Sequence, residues 1–161
     1  VYDTEIYNGT SWTEVNNTDQ RRQDGASAGV TTSALVTAGY TTSPQGNSAF
    51  TESFDGTTWS EETNINNGIQ GRRGLGATET AALIASATPS NNCELWNGSS
   101  WTELNNQNTA RNGQGSFGTS TAGVVAGGAS PPIVASVESF DGTSWTEIGD
   151  LKLLKNEKQK Y

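Results

Sequence analysis

The chain has 161 residues, 32% of them hydrophobic, with five Trp, four Tyr and four Phe, which is material for one ordinary domain and too aromatic for wholesale disorder. A formal net charge of −8 argues against a nucleic-acid surface, which presents clustered Lys and Arg to phosphates, and no apolar run approaches the roughly 18 residues of a membrane span, so neither nucleic acid nor membrane insertion is expected. The lone Cys93 excludes an internal disulfide, and nineteen Gly among many Thr, Ser and Asn describe short strands and tight turns, an all-β fold.

The first element is TEIYNGTSWTE at 4–14, which reads as a hairpin: alternation on both sides of Asn8-Gly9, with Trp12 on the returning strand. After Arg21 and Arg22 comes a Gly-rich approach, DGASAGV at 24–30, and then a small, nearly all-apolar strand, TSALVTAG at 32–39. The loop TTSPQGNSA at 41–49 leads to a second hairpin, TESFDGTTWSE at 51–61, with Asp55-Gly56 at its turn and Trp59 beyond it. The series then repeats. Arg72 and Arg73, GLGATE at 74–79 and TAALIASA at 80–87 precede the hairpin CELWNGSSWTE at 93–103, with Asn97-Gly98 and Trp101. Arg111, GQGSFGTS at 113–120 and TAGVVAGG at 121–128 precede a loop at 129–136 and the hairpin VESFDGTSWTE at 137–147, with Asp141-Gly142 and Trp145.

Four copies make a repeat, and the anchoring tryptophans stand 47, 42 and 44 residues apart, a period of propeller blades or helical arrays. Composition excludes the helical arrays. Asn-Gly and Asp-Gly favour the centre of a two-residue type I′ turn, so Gly9, Gly56, Gly98 and Gly142 are expected there in the left-handed region. Each full unit supplies four strands: two small and buried, then the Trp hairpin. Four strands at this period fit a propeller blade, with Trp12, Trp59, Trp101 and Trp145 filling the gaps between blades. Residues 21–66, 72–108 and 111–149 make three complete blades, and residues 1–16 hold the last two strands of a fourth.

The order of arginine, small apolar strand ending in Gly127-Gly128, Glu-x-aromatic-Asp-Gly and then Trp resembles the kelch repeat over residues 1–149. Two units depart from it, with Ala38-Gly39 and Ser86-Ala87 in place of Gly-Gly, and the aromatic often found ahead of the glycines is missing. The wording FDGTxWTE is similar to degenerate kelch-like repeats of phage and environmental-virus structural proteins, often tail-associated. The resemblance implies a β-propeller-like array of four-stranded antiparallel blades, in a structural protein of a virion or an extracellular surface.

A propeller needs about four to eight blades to close. The expected partner strands for residues 1–16 are absent from GDLKLLKNEKQKY at 149–161, which leaves three readings: a missing upstream portion, several chains or further copies completing a ring, or an open array docked on a partner. The absence of Met favours the first. Residues 150–161 form a separate Lys-rich tail holding all four lysines, with Leu151 and Leu154 spaced for a short helix.

Chemistry-bearing residues are few. With no His and one Cys, triads, Cys-His pairs and structural zinc sites are excluded, and neither cofactor nor metal is expected. Glu5, Glu52, Glu94 and Glu138 recur on the third strand and Glu14, Glu61, Glu103 and Glu147 on the fourth; catalysis needs a unique constellation, so these carboxylates belong to the fold, and a carbohydrate-active enzyme is the weakest reading. The arginines are expected to brace neighbouring loops, and Cys93 to act as a small core residue. Function is sought where the copies disagree: in the loops at 41–49 and 129–136, in the tail, and at Trp96, which replaces Tyr7, Phe54 and Phe140 and is read either as a packing aromatic or as an exposed platform for a sugar ring. Trp96, Tyr40, Gln45 and Asn47 are the candidate ligand-binding residues. The leading reading is a non-enzymatic interaction module that contacts proteins or a host surface; the alternative is a glycan-binding, lectin-like one.

Overall fold

The computed structural model describes residues 3–42, 44–129 and 132–152, and every described element is a strand. Strands β1 (Thr4–Tyr7) and β2 (Trp12–Val15) form a two-stranded hairpin. Next come β3 (Ala26–Val30), β4 (Ser33–Thr37), a short hairpin of β5 (Tyr40–Thr42) and β6 (Gln45–Asn47), then β7 (Thr51–Phe54) and β8 (Trp59–Glu62). Strands β3-β4-β7-β8 make the first four-stranded antiparallel sheet, and the loop expected at 41–49 is thus largely the β5–β6 hairpin. The second sheet is β9 (Arg73–Thr78), β10 (Ala81–Ala85), β11 (Cys93–Trp96) and β12 (Trp101–Leu104); the third is β13 (Gly115–Gly118), β14 (Gly123–Ala126), β15 (Ser136–Phe140) and β16 (Trp145–Asp150). Residues 149 and 150 thus continue β16; of the short helix expected on the Leu151 and Leu154 spacing, Leu151 and Lys152 are in neither helix nor strand, and residues 153–161 lie outside the described residues.

The Trp hairpins differ from the expected two-residue type I′ turns. Each closes over four residues, since Phe54 pairs with Trp59 and Asp55–Thr58 form the loop. Only the glycine takes a left-handed φ (Gly9 97°, Gly56 97°, Gly98 93°, Gly142 95°). The Asp or Asn ahead of it stays at negative φ and folds its side chain back: Asp55 Oδ1 accepts from the Thr57 and Thr58 amides at 2.8 Å each, and Asn97 Oδ1 from those of Ser99 and Ser100 at 3.0 and 2.9 Å. Only one side-chain oxygen is used this way, which is why Asn and Asp interchange among the copies.

The three sheets stand in chain order with their first strands side by side, β3 against β9 and β9 against β13. These strands line a hollow of about 340 Å³ and are less buried than β4, β10 and β14, with Ala26 and Leu75 their buried residues. One core lies between the first two sheets (Leu35, Ala82, Ile84, Trp96, Trp101) and another between the second and third (Leu75, Leu83, Cys93, Val125, Phe140, Trp145). Volume is conserved across them: where β9 carries Leu75 instead of the corresponding Ala28 of β3, the facing position is Gly123 instead of Ala82, and a Cβ at Gly123 would lie 2.7 Å from Leu75 Cδ2. The row is open at both ends, with Trp12 65% and Phe117 59% exposed.

Gly74 sets the approach of the first two sheets. A Cβ there would lie 2.0 Å from the Ser27 carbonyl oxygen, a backbone atom that moves only with its strand. Gly74→Ala is expected to push β9 away from β3 and cost about 1–3 kcal/mol, read as a lowered urea midpoint, whereas Gly113→Ala meets no steric obstacle within 4 Å and pays only for its left-handed φ of 65°.

Candidate functional site

The charged residues of the repeat turn inward. Glu94 on β11 is 1% exposed and accepts from Arg72 Nη1 at 2.9 Å, from Asn66 N at 2.9 Å and from Asn67 N at 3.0 Å. Arg72 in turn donates to the carbonyls of Ala85, Asn67 and Asn92 at 3.2, 2.6 and 2.6 Å. The carboxylate therefore fastens the linker that enters its own sheet, both directly and through a guanidinium that directs three further donors to backbone carbonyls. Arg111 with Glu138 and Arg22 with Glu52 repeat the device: Glu138 accepts from Asn108 N at 2.7 Å and Thr109 N at 3.3 Å, and Glu52 from Asp19 N at 2.6 Å. Arg22 is the least complete of the three, with a buried Nε that has no hydrogen-bond partner among the described residues, and burial draws its pKa below the ordinary arginine value against the opposing pull of Glu52. The fourth-strand partners Glu61, Glu103 and Glu147 lie directly across from these acids and are exposed.

Tryptophans reach back to the preceding unit. The Trp59 indole donates to Thr4 Oγ1 at 3.2 Å and that of Trp101 to Thr63 O at 2.9 Å. Each ring also packs on its cross-strand aromatic, with centroids 4.9 Å apart for Phe54–Trp59 and 5.2 Å for Trp96–Trp101. At the last junction Cys93 stands where Thr4 stands at the first; the Trp145 indole lies beside the Cys93 thiol, and its buried Nε1 has no oxygen or nitrogen acceptor among the described residues.

Trp96 does not form a platform. It is 1% exposed, its Nε1 donates to Glu79 O at 2.7 Å, and both ring faces belong to the core, so no face is open to a sugar. Tyr40, Gln45 and Asn47 do share one place on the β5–β6 hairpin: Tyr40 pairs across from Asn47, and Gln45 across from Thr42. Gln45 and Asn47 are exposed and Tyr40 half-buried, and Tyr40 borders a depression of about 90 Å³ with Arg21, Gln23 and Thr42. In the other variable loop, Ile133 is 74% exposed, and Ser130 and Pro131 lie outside the described residues.

Sequence reasoning missed a buried polar circuit between the second and third sheets. Ser86 Oγ donates to Gln107 Oε1 at 2.9 Å, Gln107 Nε2 to Gln114 Oε1 at 2.9 Å, and Gln114 Nε2 to Ser86 O at 3.0 Å. The only signal was the loss of Gly-Gly at Ser86-Ala87, and the circuit has no counterpart in the first sheet, where Ala38 replaces Ser86.

Among the described residues, no group of three or more Cys, Asp or Glu is placed to hold a metal ion. Burial pushes the Cys93 thiol up to about 11, against the smaller opposing effects of the Gln107 amide and Arg72. A raised folded pKa favours the neutral thiol, so its contribution to stability is present below about pH 9 and lost as pH rises from there through about 11. Iodoacetamide is expected to leave native Cys93 essentially unmodified at pH 8 and to react at the rate of a free thiol in unfolding urea; fast native labelling would contradict its burial.

No family model matches the chain, and no curated protein matches it.

Proposed function

We propose that the chain is a non-enzymatic interaction module, built of kelch-like propeller blades, in an extracellular or virion-surface protein of the tail or fibre kind, and that it makes protein–protein or host-surface contacts. The observation that carries this reading is the fate of the repeated charges: Glu52, Glu94 and Glu138 are buried against Arg22, Arg72 and Arg111 and hold linkers in place. These three carboxylates are thereby committed to structure, and the exposed residues that differ between units remain for recognition. The β5–β6 hairpin is the largest such difference, an insertion found in the first sheet alone among the described residues.

A glycan-binding role is the second reading, favoured by the half-buried ring of Tyr40 beside the amides of Gln45, Asn47 and Gln23. A half-exposed aromatic with adjacent amide donors and acceptors suits sugar hydroxyls and ring faces. The test measures binding of the purified chain to host-cell envelopes and to a glycan array, alongside the Tyr40→Ala/Gln45→Ala/Asn47→Ala variant. Binding lost in the variant with folding unchanged supports a contact role, and glycan spots lost with it select the second reading. Turnover of an oligosaccharide by the chain would overturn both.

A further inference from the structure

The open end of the row carries a groove that the other junctions fill. Strand β1 pairs only with β2, so its second edge is free among the described residues, whereas the corresponding β7, β11 and β15 each pair with a small apolar strand. Beside that edge lies a groove of about 240 Å³, lined by Ile6, Tyr7, Trp12, Ala34, Phe54 and Trp59 among others. Register makes its floor equivalent to the filled sites: Ala34, Phe54 and Trp59 correspond to Ala82, Trp96 and Trp101, and to Gly123, Phe140 and Trp145. At the first filled site Leu35 of the preceding sheet lies against this surface, and at the second Leu75 and Leu83 do so.

Charge repeats the pattern. Glu5 holds the register position of Glu52, Glu94 and Glu138, across from another acid, Glu14. The other three are buried on an arginine that precedes the first strand of their own sheet; Glu5 is exposed and has no ion-pair partner among the described residues. Like charges directly across a strand pair repel, and in the complete sheets the arginine neutralises one of them. An apolar slot of leucine size, a free strand edge and an unpaired acid thus stand together.

We propose that this groove is a strand-addition site and that its occupant is an arginine-led β-hairpin of the type found at 72–86, whose second strand sets a leucine and an isoleucine among alanines. The added strand pairs with the free edge of β1, its leucine fills the groove over Phe54 and Trp59, and its arginine binds Glu5. This goes beyond the surface-contact role and stands or falls separately from it, because it uses β1 and not the β5–β6 hairpin.

The probe is a synthetic peptide with the sequence of residues 72–86, titrated into the intact chain and followed by tryptophan fluorescence, since Trp12 and Trp59 line the groove. Saturable binding with a blue shift is expected, weakened about tenfold by Glu5→Gln in the chain or by replacing the peptide's first arginine with glutamine, and by tenfold or more when the peptide's leucine at position 83 is serine. Glu5 is exposed and makes no side-chain hydrogen bond or ion pair among the described residues, so Glu5→Gln is expected to stay folded. A second arm places a copy of residues 72–92 directly ahead of Thr4 in the same chain, where proximity replaces affinity, and a raised Tm is expected. Binding by a peptide of scrambled order as strong as by the native one, indifference to Glu5→Gln, or an unchanged Tm in the fused chain would each overturn the proposal.

Discussion

Arg72→Ala is expected to cost about 3–5 kcal/mol of folding stability, a large share of the total for a domain of this size. The side chain is 1% exposed and its removal strands the Glu94 carboxylate in the interior, together with the carbonyls of Ala85, Asn67 and Asn92. Lysine does not restore the site, because three donors on a point charge cannot serve three carbonyls and a carboxylate arranged around a planar fork. Replacing both partners, as in Arg72→Met/Glu94→Leu, removes the buried charge but leaves the Asn66 and Asn67 amides without their acceptor, so this variant recovers only part of the loss. Arg73→Ala serves as the control, since Arg73 is half-buried and among the described residues its side chain donates only to the carbonyls of Gly71 and Arg72, and a change within about 0.5 kcal/mol is expected. Urea unfolding with a common m-value measures all of these, and a loss below about 1 kcal/mol for Arg72→Ala would mean that the pair is not desolvated as the burial indicates.

The second large effect separates two copies of one residue. Trp101→Ala removes a ring 8% exposed at the centre of the first core, together with its hydrogen bond to Thr63 O, and should cost about 3–5 kcal/mol. Trp12→Ala alters the same repeat position, but at the open end, where the ring is 65% exposed, and should change stability by no more than about 0.5 kcal/mol. Trp59, half-buried over the β1–β2 hairpin, falls between them. The expected order is therefore Trp101, then Trp59, then Trp12. Equal losses at Trp101 and Trp12 would show that each tryptophan acts within its own hairpin and not across the junction.

The gradient also bears on the groove beside β1. A hairpin docked there by the interactions proposed above would complete the unit that faces Trp59, as the first sheet faces Trp101, so Trp59→Ala would become costlier in the fused chain while Trp12→Ala would remain nearly silent.

What the sequence by itself determined is whatever recurs locally: an all-β chain, four Trp hairpins, a small apolar strand ahead of three of them, and an arginine and a glutamate at fixed places in each of those three units. These signals are short-range and periodic, and four copies make each one visible against the variation of the others. Tertiary structure decided the rest. The turns proved to be four residues long because loop length depends on which residues pair across the strands, and an Asp-Gly dipeptide is compatible with more than one answer. Arg72 and Glu94 are 22 residues apart in the chain, and only the folded linker brings a desolvated guanidinium onto that carboxylate. Trp96 reads as a departure from the repeat in one dimension and lies in the core in three, since exposure depends on the facing sheet and not on the residue type. The same reason governs Trp12: its neighbours in sequence match those of Trp101, and what leaves it open is the neighbouring unit that the buried copies have and it lacks.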